Sequence, residues 1–176
     1  MAMRRPLLVT LFAALAGVAA LAHAQQPISA LKGHNSNAPV DVTADRIEVQ
    51  DRADRAIFVG NVHVRQADLT LDTSRLTVAY SSTGGIQIER LDASGGVVVR
   101  SPSETARGNF GVYDLDRRLI TLVGDVQLSR GGSRIHGSRL VIDLGSGRAV
   151  VDGGPAGVGQ SGGRVTGHFT VPQRGN

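Results

Sequence analysis

The sequence contains no cysteine and no tryptophan, and it has only four Phe and two Tyr among 176 residues. The lack of cysteine excludes disulfides, thiol catalysis and cysteine-ligated metal sites. With so few aromatics, any core must be built from Val, Leu and Ile. A carbohydrate-binding surface, which usually presents exposed aromatic rings, is also disfavoured.

The sequence has little concentration of charge of either sign. Its formal net charge is +4, and its high pI of about 10.6 reflects the use of Arg in place of Lys. Arg and Asp are interspersed, as in residues 51–55 (DRADR). Nucleic-acid binding would require a concentrated basic stripe, so no nucleic-acid partner is predicted.

The N-terminus has the organisation of a secretory signal. Arg4 and Arg5 precede an uncharged apolar run at residues 7–21, and residues 22–24 (AHA) supply a small-x-small cleavage site. This order predicts a cleaved signal peptide, residues 1–24, and an exported protein. The alternative is an uncleaved membrane anchor, but the apolar run is shorter than the roughly 20 residues that a spanning helix needs.

Past the signal, the pattern predicts an all-β domain. Residues 25–38 are polar and predict a flexible leader, and short apolar stretches then follow up to residue 172. No sustained helical stripe is present, whereas alternation with a period of two is common, for example at Leu69 and Leu71. Short strands with regular turn signals are typical of a sandwich, a barrel or a solenoid.

An internal repeat narrows this choice. A shift of 64 residues lays residues 58–64 (FVGNVHV) on residues 122–128 (LVGDVQL), without a gap. The same shift lays 71–78 (LDTSRLTV) on 135–142 (IHGSRLVI), and a partial third copy (GGVVV) begins at Gly95. Each unit predicts a strand, a Gly-containing bend and a strand. Such units build a solenoid-like stack of antiparallel strands, each copy supported by its neighbours.

An open stack has free strand edges at both ends. The predicted first strand contains Val40 and Val42, and the predicted last strand, residues 164–171, contains Val165 and Phe169 before Pro172 stops it. Unpaired N–H and C=O groups at such edges are templates for another chain. We therefore predict partner contacts at both ends and head-to-tail self-association.

No catalytic grouping is recognisable in the sequence. A nucleophile elbow, a His-Glu-x-x-His motif and a phosphate-binding loop are all missing. The histidines of the exported chain are isolated from one another in sequence: His34, His63, His136 and His168. The sequence therefore predicts no enzymatic activity, no metal site and no cofactor.

Four segments together resemble the OstA-like family of lipopolysaccharide-transport proteins. They are residues 39–45 (PVDVTAD), 58–62 (FVGNV), 164–166 (RVT) and 171–172 (VP). The resemblance extends from about residue 39 to residue 172, so these residues are expected to form one OstA-like domain, followed by a short tail at 173–176. The chain departs from the family pattern in being richer in Gly, notably at residues 153–163, and in this short tail.

The resemblance implies a twisted β-jellyroll, open along one side, in the periplasm. Family members stack head to tail and bridge the inner-membrane export complex, through the N-terminal edge, and the outer-membrane translocon, through the C-terminal edge. Lipid acyl chains occupy the apolar interior while the sugars stay outside.

The lipid-contacting positions of the family fall on five residues here: Val40, Val99, Tyr113, Leu115 and Ser36. Strand parity adds Phe58, Val62 and Leu71 to the predicted acyl groove. All of these positions are equally suited to ordinary core packing, and in a ligand-filled jellyroll the two roles overlap. The alternative function is an exported structural or glycan-binding β-solenoid that transports no lipid.

Overall fold

The computed structural model describes Leu31, residues 34–154 and residues 163–170. The predicted signal peptide and the predicted tail lie outside these residues. In the described residues the chain forms ten strands and one short helix. They are β1 (Val40–Thr43), β2 (Arg46–Gln50), a 3₁₀ helix (Asp51–Ala53), β3 (Arg55–Gln66), β4 (Leu69–Ser81), β5 (Gln87–Arg100), β6 (Glu104–Asp114), β7 (Leu119–Arg130), β8 (Ser133–Asp143), β9 (Arg148–Asp152) and β10 (Thr166–His168).

All ten strands belong to one antiparallel sheet, in which β3 to β8 follow one another in chain order. At the N-terminal end, β1 pairs with the second half of β3 and β2 with its first half. At the C-terminal end, β10 and β9 divide β8 in the same way. Among the described strands the two ends of the sheet do not pair with each other, so the sheet is open.

Each long strand is interrupted near its middle by a bulge. The register shifts between Val59 and Val62, Asp72 and Arg75, Ser94 and Val97, Arg107 and Phe110, and Val123 and Val126. These bulges lie side by side across the sheet and divide it into two leaves. Leaf A contains residues 40–43, 62–66, 69–73, 97–100, 104–107, 126–130, 133–137 and 166–168. Leaf B contains residues 46–50, 55–59, 75–81, 87–94, 110–114, 119–123, 139–143 and 148–152.

The two leaves face each other across a shared apolar core. Leu71 and Val99 of leaf A belong to the same buried cluster as Leu76, Leu122 and Leu140 of leaf B. Within each leaf, buried and exposed residues alternate along the strands, as the period of two predicts. The fold is therefore the open, all-β jellyroll of antiparallel strands that the sequence predicts.

The backbone confirms the 64-residue repeat. Gly60 and Gly124 both have φ of +82°, and their neighbours Asn61 and Asp125 have φ of +44° and +48°. The turns that flank β3 and β7 repeat in the same way, at Asp54 and Arg118 and at Ala67 and Gly131. In the partial third copy, Gly95 also has a positive φ, +87°. The repeat thus preserves the bends of the chain as well as its apolar residues.

Small polar side chains on neighbouring strands cover the glycines of the bends. Ser74 Oγ donates to the Gly95 carbonyl at 2.8 Å, and its repeat equivalent Ser138 donates to the Gly153 carbonyl at 2.6 Å. A Cβ added to Gly95 would lie 2.8 Å from Ser74 Cβ. Glycine is needed there both for the positive φ and for this close approach.

The C-terminal end differs from the prediction of one strand over residues 164–171. Pairing in β10 is confined to Thr166–His168, and Val165 and Phe169 flank it. Beyond His168, side-chain contacts replace the backbone ladder: Thr170 Oγ1 donates to the Gly131 carbonyl at 3.0 Å, and Ser133 Oγ accepts from the Thr170 amide at 3.2 Å. The last strand of leaf B is β9, which the sequence reasoning missed.

The predicted leader is not wholly separate from the domain. Leu31 is only 3% exposed and belongs to the core cluster. Residues 34–38 form turns, with the His34 amide donating to the Leu31 carbonyl and the Ala38 amide donating to the Asn35 carbonyl. We name Leu31 together with residues 34–38 the N-terminal strap. Within the segment that the sequence predicts as a flexible leader, an apolar anchor and buried polar contacts therefore hold these residues on the domain.

Candidate functional site

The interior between the leaves is the candidate binding site. A narrow apolar cavity of about 20 Å³ lies near its N-terminal end. Both leaves line this cavity, which is bounded by Val40, Val64, Gln66, Leu69, Leu71, Leu91, Val99, Tyr113 and Ile120. The volume is enough for about one water molecule and far below the roughly 300–1,000 Å³ of a ligand pocket. A larger ligand would therefore enter only if the leaves move apart.

The sequence-predicted groove residues occupy two kinds of position. Val40, Leu71, Val99 and Tyr113 all line the cavity. Val62 is buried in the surrounding core. Phe58 and Leu115 are partly buried and pack against the core cluster from its margin. The additional position Ser36 lies in the N-terminal strap.

Several lining residues were missed by the sequence reasoning. Leu69 shares the alternation of Leu71 on β4, and Val64 shares that of Val62 on β3, so strand parity could have found both. Gln66 is different, because a glutamine at the end of a strand gives no sign of being buried. In the structure it is 3% exposed.

Gln66 is the centre of a buried polar network that joins the strap to both leaves. Its amide nitrogen donates to the carbonyls of Ser36 at 2.9 Å and Ala38 at 3.0 Å. Its oxygen accepts from the Tyr113 hydroxyl at 2.9 Å and lies 3.1 Å from His34 Nε2. One side chain of leaf A thereby holds the strap and a tyrosine of leaf B.

Two further contacts complete this network. The His34 side chain is fully buried, and its Nδ1 lies 2.9 Å from Asp68 Oδ1 at the turn between β3 and β4. Burial raises the pKa of Tyr113, although the charge of Arg118 and the nearby Ser36 hydroxyl oppose this. The phenol therefore stays protonated as a donor to Gln66. The strap is thus held on leaf A by Gln66 and Asp68, and Gln66 in turn links it to Tyr113 of leaf B.

Apolar side chains are exposed at both ends of the stack. On β2, Ile47 and Val49 are 55% and 57% exposed, opposite the inward-facing Phe58 and Ala56 of β3. Beside β10, Val165 and Phe169 are 43% and 65% exposed. The Phe169 ring lies on the same face as Gly167, which pairs with Ile135 at the margin of the core. The apolar lining therefore continues to both edges of the sheet.

Residues 41–148 match the family described as LptA/(LptD N-terminal domain) LPS transport protein. The chain belongs to this family. As a member of the LptA/LptD family, it shares 32% identity over 144 residues with an uncharacterized protein of Rhizobium meliloti (strain 1021), and the match covers 77% of each chain.

A solved structure supports the same fold for this LptA/LptD family member. LptH, the LptA-homologous periplasmic component of the lipopolysaccharide transport device of Pseudomonas aeruginosa, superposes with a TM-score of 0.69. The match covers 78% of this chain and 99% of LptH at 17% sequence identity. At that identity the likeness concerns the fold.

Neither a metal cluster nor a membrane-spanning helix is present in the described part of this family member. Across Leu31, 34–154 and 163–170, no three His, Asp or Glu side chains cluster closely enough to hold a metal ion. Within the same ranges, no helix has the length and apolar character needed to span a membrane.

Loss of the Gln66 side chain is expected to release the N-terminal strap. In Gln66→Leu the strap loses its two carbonyl hydrogen bonds and the Tyr113 hydroxyl is left buried without this acceptor, which costs about 1–3 kcal/mol for each unsatisfied group. Hydrogen exchange of residues 34–38 should become at least tenfold faster. Tyr113→Phe is the matched control, since it removes one hydroxyl but keeps both bonds to the strap. Equal exchange in both variants would contradict the central role of Gln66.

Proposed function

We propose that this chain is a periplasmic lipopolysaccharide carrier that holds acyl chains between its two leaves. The observation that carries the proposal is an apolar interior that continues to exposed apolar residues at both open ends of the sheet. Membership of a lipopolysaccharide-transport family supports the choice of ligand. No catalytic group or cofactor is needed for this function.

The energetics of acyl-chain burial support a groove of this kind. Each buried methylene contributes about 0.8 kcal/mol, so an acyl chain of a dozen carbons gains on the order of 10 kcal/mol. The predicted groove residues Val40, Leu71, Val99 and Tyr113 would contact the chain first, with Phe58, Val62 and Leu115 around them. Since the cavity is small, lipid entry would separate the leaves and displace the N-terminal strap.

The two edges of the sheet suit different partners. In the proposed bridge, the N-terminal edge around Val40 and Val42 receives lipid from the inner-membrane export complex. The C-terminal edge around Val165 and Phe169 passes it to a second copy or to the outer-membrane translocon. Because the repeats offer similar apolar surfaces along the path, the carrier gives no direction to transport. Direction would come from energy supplied at the inner membrane.

Photo-crosslinking in cells tests the groove directly. A photo-reactive amino acid at Val40 or Tyr113 is expected to capture lipopolysaccharide, because both side chains line the interior. The matched controls are Asp41, the outward neighbour of Val40 on β1, and Asn61, which lies exposed at a bulge. At these positions we expect at least fivefold less lipid adduct.

Adducts from Asp41 and Asn61 alone would contradict the acyl groove. Absence of lipid adducts at all four positions, in a protein that folds and is exported, would favour the structural or glycan-binding solenoid.

A further inference from the structure

A second, polar cleft lies on the outer face of leaf A, at the ends of the strands. Its volume is about 530 Å³. The loop between β5 and β6 and the turn between β7 and β8 form its walls, with Ser101, Ser103 and Ser133 among the lining residues. We call this space the rim cleft. None of the predicted groove residues lines it.

The rim cleft is rich in positive charge. Arg107, Arg130 and Arg134 line it together with a single carboxylate, that of Glu104. Within the described ranges, neither Arg107 nor Arg134 has an ion-pair partner. Some outward-facing arginines of the sheet do have one; for example, Arg90 Nη2 lies 2.7 Å from Asp92 Oδ1. The cleft therefore brings together two guanidinium groups that form no ion pair with a carboxylate of the described residues.

Strand register brings these two guanidinium groups to the same face. Arg107 pairs with Gln127 across β6 and β7, and Arg134 pairs with Ser129 across β7 and β8. Gln127 and Ser129 share one parity on β7, opposite to that of the buried Leu128. The two arginines thus flank β7 from either side, above a floor of amide and hydroxyl groups.

The rim cleft adjoins the apolar interior. Val99 lines the interior cavity, and two residues later Ser101 lines the cleft. Glu104 begins β6 and Arg130 ends β7, and the two residues pair with each other. Two residues further along these strands, the buried Ala106 and Leu128 form the next pair of the same parity. An amphiphile with its apolar part between the leaves would therefore reach the cleft with its polar part by passing around the ends of these strands.

We infer that the rim cleft binds a phosphorylated sugar. Guanidinium groups bind phosphate oxygens through charge-assisted, often bidentate, hydrogen bonds. The serine and glutamine side chains supply donors and acceptors suited to sugar hydroxyls. This inference rests on the proposed function, since it assigns the anionic sugar portion of the lipid to the rim and the acyl chains to the interior.

Calorimetry with glucosamine 6-phosphate, glucosamine and inorganic phosphate tests the site on the purified full-length exported chain. The sugar phosphate is expected to bind more tightly than either fragment. The double variant Arg107→Gln, Arg134→Gln should weaken it at least tenfold. The control is Arg75→Gln, Arg139→Gln, a pair of exposed arginines on leaf B related by the repeat, which should change the affinity less than twofold.

Equal binding of glucosamine 6-phosphate to the double variant and the wild type would overturn the site. Equal affinity for inorganic phosphate and the sugar phosphate would overturn its assignment to a sugar. The proposed function fails separately: if Val40 captures no lipid while the sugar phosphate still binds through Arg107 and Arg134, the groove is wrong and the cleft binds a free sugar phosphate. If Val40 captures lipid but the arginines have no effect, the cleft alone is wrong.

Discussion

Gly95→Ala is expected to destabilise the protein by about 2–5 kcal/mol, whereas Gly96→Ala should cost only about 1–2 kcal/mol. The two glycines are adjacent in the β5 bulge and have nearly the same φ, +87° and +85°. Any residue with a Cβ is strained at such a φ, so both variants carry a backbone penalty of this kind. The difference in stability between the two variants therefore reports the contacts that surround each glycine.

Gly95 has a neighbour that Gly96 lacks. A Cβ on Gly95 would lie 2.8 Å from Ser74 Cβ, while a Cβ on Gly96 would have no atom within 4 Å. Because Ser74 Cβ is attached directly to the backbone of β4, relief of the clash requires the two strands to separate. Overpacking of this kind typically costs about 1–3 kcal/mol beyond the strain. The separation would also break the hydrogen bond from Ser74 Oγ to the Gly95 carbonyl.

Urea unfolding of the two variants measures this difference. The free energy of unfolding should fall with urea concentration at the same slope in the wild type and in Gly96→Ala. A change in the urea midpoint then reports a change in stability alone. The double variant Gly95→Ala, Ser74→Gly removes the obstructing side chain. It should recover most of the stability that Gly95→Ala loses in excess of Gly96→Ala. Equal destabilisation by Gly95→Ala and Gly96→Ala would show that the close approach of β4 and β5 does not matter to the bend.

The bends also explain how much of the fold could be predicted from the sequence. The 64-residue shift aligns Gly60 with Gly124, and both adopt the same left-handed conformation, because a bulge with a short covering side chain has a local sequence signature. Alternation along β4 also places Leu71 in the interior correctly, because alternation is a pattern of residues close in sequence. What could be predicted is therefore what depends on residues close in sequence or on the repeat.

The N-terminal strap could not be predicted in this way. Leu31 is a single apolar residue in a polar segment, and His34 gives no sign that Gln66 and Asp68 lie beside it. These contacts join residues more than 30 positions apart, and no periodicity records them. The rim cleft was missed for a similar reason: Arg107 and Arg134 are scattered in sequence and converge only through the register of three strands.

A charged substitution at either edge of the sheet is expected to abolish self-association. Mixing a variant of the N-terminal edge with a variant of the C-terminal edge should restore self-association only partly. A charge placed in an apolar contact between edges would be desolvated without a partner, which proteins strongly disfavour. Ile47→Asp on β2 should therefore inactivate the N-terminal edge, and Val165→Asp beside β10 the C-terminal edge. Both side chains are exposed in the single chain, so neither change should affect folding, which thermal unfolding can verify.

The mixture distinguishes a head-to-tail contact from a symmetric one. In a head-to-tail arrangement each variant keeps one intact edge, and the intact edges are complementary. Sedimentation of an equimolar mixture should then show dimers and nothing larger, whereas the wild type is expected to form open-ended oligomers that grow with concentration. A symmetric contact uses the same surface twice, so a variant with a damaged contact surface would not be rescued by the other variant. Wild-type protein that stays monomeric at high concentration would contradict the bridge, while lipid capture at Val40 would still support a carrier that works as single molecules.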